Sequence, residues 1–215
     1  MARVKTSTKL RPPVVARPRP NGRRARVTRT TKETDISVEL NVDGRGHAQV
    51  DTGIPFFNHM LDIFARHGFF DLTVRARGDL DVDQHHTVED VGLTLGQALR
   101  EALGEKVGIR RFGDAACPLD EALVTAVVDL SGRPFLAYNL RIKQTRVGTF
   151  DTELVHDFLL ALTNQVGMNL HLNQIQGRNP HHIIEAGFKA LARALDKAKQ
   201  VDPRVKGVLS TKGSL

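Results

Sequence analysis

The sequence predicts an α+β fold made of two duplicated ββαβα halves that share one core. Three observations predict it. The order strand, strand, helix, strand, helix occurs twice along 215 residues. His85-His86-Thr87-Val88-Glu89 opens the last helix of the first half, and His181-His182-Ile183-Ile184-Glu185 opens that of the second, 96 residues later. Behind these polar starts, Leu95, Ala98 and Leu99 match Leu191, Ala194 and Leu195, so apolar seams repeat with the motif. One half alone would leave a sheet face bare, which is why the two are expected to share a core.

Taken in order, residues 1–28 read as a disordered tail, since they are rich in Pro and Arg and hold no acid. Lacking an apolar core of 7–15 residues, the tail is not a secretory signal. The first half spans 29–118 and the second 119–215, the latter with a flexible C-terminal end. Ile36, Val38, Leu40 and Val42 alternate with polar residues, which predicts a half-buried strand. The turn Asp43-Gly44-Arg45-Gly46 then predicts a hairpin into 47–51. Pro55 opens a helix with Phe56, Phe57, Met60, Leu61 and Phe64 at helical spacing, closed by Gly68. Leu72, Val74 and Ala76 form a strand that leads through Asp79, Asp81 and Asp83 to a helix at about 86–103. The second half repeats this with strands at 121–130 and 134–141, a helix at 152–166, a strand at 168–173 and a helix at 181–199.

Composition excludes several functions. No apolar run approaches the ~20 residues that span a bilayer. The single Cys117 rules out a disulfide framework and points to a reducing, cytoplasmic compartment. Net charge is +7, yet residues 1–29 carry ten cations and no acid, so residues 30–215 hold −3. An acidic body without Trp makes a poor nucleic-acid platform, and no specific nucleic acid or membrane partner is expected.

Six of the nine histidines gather near helix starts: His59, His85, His86, His156, His181 and His182. Glu89 lies four residues after His85, and Glu185 four after His181, so each pair shares a helix face. Consecutive histidines diverge by about 100°, so His85 and His86 serve different ions, and duplication predicts two metal sites. Imidazole and carboxylate without thiolate suit Mn²⁺ or Fe²⁺, with Zn²⁺ also possible. Arg111, Arg133, Lys189, Ser210 and Lys212 are of the types that grip phosphate.

Five segments carry a resemblance. They are Thr52-Gly53-Ile54-Pro55-Phe56-Phe57-Asn58-His59-Met60-Leu61, Asp83-Gln84-His85-His86-Thr87-Val88-Glu89-Asp90-Val91-Gly92, Ser131-Gly132-Arg133-Pro134, His181-His182-Ile183-Ile184-Glu185-Ala186 and Ser210-Thr211-Lys212-Gly213. In this order they resemble the imidazoleglycerol-phosphate dehydratases over about residues 28–215. The resemblance implies two similar halves, each a four-stranded sheet backed by helices, and trimers assembled into a 24-subunit homo-oligomer. It implies two Mn²⁺ per active site, formed between subunits and binding the imidazole or imidazolate ring. The implied reaction turns imidazoleglycerol phosphate into imidazoleacetol phosphate. Metal positions fall on His59, His85, His86, Glu89, His181, His182 and Glu185, with Asp157 at the eighth and His156 beside it. Catalytic positions fall on Glu33 and Glu185. Substrate positions fall on Glu33, His67, Arg111, Arg133, Lys189, Ser210 and Lys212. Asn58 stands where the family usually has Asp, which would change a partner of His59. A metal-dependent hydrolase of phosphorylated substrates uses the same residue types and is the alternative.

Overall fold

The computed structural model describes residues 22–215. The first half comprises β1 (Arg24–Thr30), β2 (Thr34–Asn41), β3 (Ala48–Asp51), α1 (Pro55–Gly68), β4 (Asp71–Gly78) and α2 (His85–Leu103). In the second half β5 (Phe112–Leu119), β6 (Ala122–Asp129) and β7 (Phe135–Asn139) precede a ribbon of β8 (Arg146–Val147) and β9 (Phe150–Asp151). Then come α3 (Leu154–Val166), β10 (Asn169–Gln176) and α4 (Pro180–Lys199). Two four-stranded sheets result, ordered β1-β2-β4-β3 and β5-β6-β10-β7. The first strand pair of each sheet keeps the same register: Arg24 faces Asn41 in one sheet, and Phe112 faces Asp129 in the other.

Four expectations change. Residues 24–28 are not tail: they belong to β1, where Val27 points into the core while Arg24 and Arg26 face solvent. Residues 1–21 lie outside the described residues. The segment after the Asp43 turn does not close a hairpin with β2; β3 crosses over and pairs in parallel with β4, and β7 pairs likewise with β10. Each half therefore contributes three strands to its four-stranded sheet before its first helix. Phe112–Leu119, placed by sequence in the first half, pairs with β6 as the edge of the second sheet. Its inward residues Gly113, Ala115 and Cys117 are small, because α4 lies close: a Cβ on Gly113 would strike the Ala194 carbonyl. Gly68 stays within α1, and Phe69 takes the left-handed cap at φ 52°, matching Gly167 at φ 67° after α3.

The helices pack between the sheets. α1 meets α4, and α2 meets α3, so every helix contact across the middle joins opposite halves. Gly92 and Gly96 let α2 approach α3; a Cβ on Gly92 would sit 2.8 Å from the Phe158 carbonyl oxygen. Phe158 of α3 meets Phe57 of α1 edge to face and stacks on Phe188 of α4, at centroid distances of 5.2 and 5.6 Å. The expected shared core is thus a single buried cluster. Among the described residues no helix is long and apolar enough to cross a membrane.

Candidate metal centre and substrate site

Both His-His helices begin on the same device. The Asp83 carboxylate accepts the His85 amide at 2.7 Å, and the Asn179 side-chain oxygen accepts the His181 amide at 3.0 Å. Capping the first turn fixes the helix start and so the direction of each histidine.

At the start of α4 three donors converge, one of them brought by α1 of the first half. Nε2 of His59, from α1, lies 3.3 Å from Glu185 Oε2, and Nε2 of His181 lies 3.1 Å from the same oxygen. One ligand atom from each of the three falls within 4.8 Å of the others. Lys189 donates to the remaining oxygen, Oε1, at 2.8 Å. Burial alone would raise the Glu185 pKa, but Lys189, His181 and His59 together hold it below the ordinary carboxylate range.

The equivalent residues at the start of α2 are arranged differently. Asp157 Oδ2 of α3 lies 3.4 Å from His85 Nδ1, while Glu89 Oε2 lies 3.9 Å from His85 Nε2. His156 sits beside Asp157 at 3.2 Å with its ring edge-on to Tyr138. Asp157, not His156, therefore reaches His85.

His86 and His182 turn away from these trios. His86 Nδ1 meets Asp79 Oδ2 at 3.0 Å, with Glu33 Oε2 at 3.8 Å. His182 Nδ1 meets Glu121 Oε2 at 2.8 Å. These hydrogen bonds, from Asp79 and Glu121 respectively, raise both imidazole pKa values. Glu121 is pulled down to about 2, by the Asn179 amide first, then His182 and the Arg178 amide.

Glu33 occupies the β1–β2 turn, its own amide and that of Thr34 held by Thr31 Oγ1 at 3.1 and 2.9 Å. Thr34 Oγ1 donates to buried Asp90 at 2.5 Å, and Arg29 Nε closes on the other Asp90 oxygen at 2.7 Å. The turn bearing Glu33 is thereby fastened to α2, one residue beyond Glu89, while its carboxylate stays exposed.

Arg111, Arg133, Ser210 and Lys212 line one open cavity of 1340 Å³ together with Arg204 and Lys206. Arg111 is oriented by a two-pronged pair with Asp129 and donates its third nitrogen to the Leu209 carbonyl at 2.8 Å. Lys189 does not join this cavity within the chain: it is committed to Glu185. His67 belongs beside Lys189 too, where burial and then the charges of Lys189 and Arg193 lower its pKa. Asn58 does not act on His59. Its side-chain oxygen accepts from the Thr52 amide and hydroxyl, at 2.9 and 2.6 Å.

The sequence of the family described as imidazoleglycerol-phosphate dehydratase matches residues 52–195. The chain belongs to that family. A relative of that name from Geobacter metallireducens is 56% identical over 193 residues, covering 90% of this chain and 99% of its own. One from Shouchella clausii is 59% identical over 189 residues, covering 88% and 97%. The crystal structure of the Staphylococcus aureus dehydratase superposes with a TM-score of 0.76 at 38% identity, over 83% of this chain and 99% of that one. The Pyrococcus furiosus dehydratase, in complex with (S)-C348, gives 0.77 at 40% identity, over 88% and 100%. The chain is accordingly an enzyme, a hydro-lyase of histidine biosynthesis.

Beyond the expected residues of an imidazoleglycerol-phosphate dehydratase, the structure brings in Asp79, Asp90 and Glu121. Glu121 carried a signal in the sequence: it stands 88 residues after Glu33, in the same turn of the repeat. That signal was invisible without β1 and β5, which set the register.

Proposed function

We propose that the chain dehydrates D-erythro-imidazoleglycerol phosphate to imidazoleacetol phosphate, with two Mn²⁺ per active site. The observation that carries this is the convergence of His59, His181 and Glu185 on one point. Imidazole with carboxylate and no thiolate fits a first-row divalent ion, and Cys117 is buried in β5 away from both trios. His59, His181 and Glu185 would hold one ion, and His85, Glu89 and Asp157 the other. His86 and His182 have Nδ1 fastened and Nε2 open, so each would complete a site on a neighbouring copy. This supports assembly into a homo-oligomer, 24 subunits in this reading. When bound, the ions supply Lewis acidity to the substrate ring and a template that orients it.

The chain's own groups do the rest. Arg133, Ser210 and Lys212, with Arg111 held by Asp129, grip the phosphate through charge-assisted hydrogen bonds. Glu185 has both oxygens engaged by His59, His181 and Lys189, which leaves little room for proton traffic. Glu33 has an exposed carboxylate on a fastened turn, and we assign it the proton transfer at the substrate carbon. The setting is the cytoplasm, where the lone Cys117 thiol stays reduced.

The test is metal analysis of the purified protein, with a dehydratase assay after chelation and Mn²⁺ return. Two ions per chain, activity lost and restored, and imidazoleacetol phosphate without free phosphate are expected. Release of inorganic phosphate would support a hydrolase in its place, and activity indifferent to chelation would end the metal reading.

A further inference from the structure

The two halves are related residue by residue, so their differences at matched positions are informative. Glu33 and Glu121 occupy the same turn, between β1 and β2 and between β5 and β6. Around Glu33 the turn is fastened by others, since Thr34 and Arg29 hold Asp90 and Asp79 takes His86. At the matched positions of the second half stand Ala122, Cys117, Ala186 and Gly177, none of which carries an acid. The loop before α4 is also shorter than the loop before α2 by three residues: 177–179 replaces 79–84 once Pro180 opens the helix. In the second half Glu121 both ties its turn to the start of α4 and holds the histidine, work that Asp90 and Asp79 divide in the first.

Its two oxygens divide that work. Oε1 accepts the Arg178 amide at 3.0 Å and the Asn179 amide at 2.8 Å, which ties the turn to the start of α4. Oε2 meets His182 Nδ1 at 2.8 Å. A carboxylate only accepts, so His182 must carry its proton on Nδ1, and the Nε2 lone pair is left open. The nearest acid to Nε2 is Asp120, 3.9 Å away.

We propose that Glu121 is a positioning residue that fixes the His182 tautomer and aims Nε2 at an ion, while its repeat counterpart Glu33 is released for chemistry. This rests on the reading of His182 as a metal ligand. The discriminating change is Glu121→Gln. Two backbone amides aimed at Oε1 hold the amide oxygen of glutamine there, which turns its NH₂ toward His182. The imidazole must then accept at Nδ1 and carry its proton on Nε2, the atom needed for the ion.

Nitrogen-15 NMR of histidine-labelled, metal-free protein at alkaline pH reads the tautomer, with the His182 signal assigned by its loss in His182→Gln. Equilibrium dialysis against Mn²⁺ reads stoichiometry and affinity. The expected result is a switch of His182 from Nδ1–H to Nε2–H and a loss of roughly 10- to 100-fold in affinity for one of two ions. Glu33→Gln should leave the His182 signal where it is. Should the glutamine variant not fold, Glu121→Asp draws the carboxylate back and should leave His182 in a mixture of tautomers. An unchanged tautomer, or two unchanged Mn²⁺ affinities in Glu121→Gln, would overturn the assignment. If His182→Gln kept two tight ions, the ligand reading would fall and take the purpose of the clasp with it; the tautomer measurement separates that failure from the first.

Discussion

Each His-His helix start is joined by a donor from the other half, yet only the trio at α4 is drawn to a point. There, two imidazoles meet one carboxylate, and the attraction pulls His59 and His181 onto Glu185. At the start of α2, Asp157 from α3 stands where His59 stands at α4, so one imidazole faces two carboxylates. Asp157 and Glu89 repel, and His85 sits between them with a different ring nitrogen toward each. A duplicated backbone thus supplies position, while the identity of one side chain decides whether the donors close up before an ion arrives.

The largest effect expected is at the matched turn glutamates. Glu33→Gln should lower kcat by ~10²–10⁴-fold, the usual worth of a general acid or base, with both Mn²⁺ retained. Steady-state kinetics with metal analysis check this, and unchanged turnover would remove the functional difference between Glu33 and Glu121. Next comes the shared core. Phe158→Ala removes a ring that touches helices from both halves and should cost about 3–5 kcal/mol. Denaturant unfolding should still show one transition; two would mean that the halves are stable separately. A smaller effect tests the donor asymmetry directly. Asp157→His gives the trio at α2 the donor set of the trio at α4 and should tighten its weaker Mn²⁺ roughly tenfold, bringing two unequal affinities together in a dialysis titration. The smallest effect lies in acid. Glu121 has a folded pKa of about 2 against an ordinary 4.5, so its contribution is complete above 4.5 and is lost as pH falls toward 2. Glu121→Gln removes that contribution, and its stability should fall less steeply across this window when unfolding is followed against pH.

Legibility followed side-chain size and periodicity. The helices and the inner strands β2, β4, β6 and β10 were evident because large apolar residues recur at a clear spacing. The edge strands β1 and β5 were not. β1 carries arginines on its outer face and reads as part of a basic tail, and β5 turns only Gly113, Ala115 and Cys117 inward because α4 leaves no room for more. The His-His-x-x-Glu starts stood out by repetition, as did Glu33 by resemblance. Asp79, Asp90 and Glu121 did not, since each acts on a partner 7, 56 or 61 residues away.

What the sequence determined by itself was the duplication, the class of fold and the list of groups able to bind a metal ion and a phosphate. Those properties are local: spacing along a helix or strand and the chemistry of single side chains. Tertiary structure decided the parallel pairing of β3 and β7, the closing of one trio and the opening of the other, and which carboxylates hold histidines. Each depends on segments distant in the chain meeting at a few ångströms, where repulsion between two acids or the lack of one Cβ outweighs any local preference.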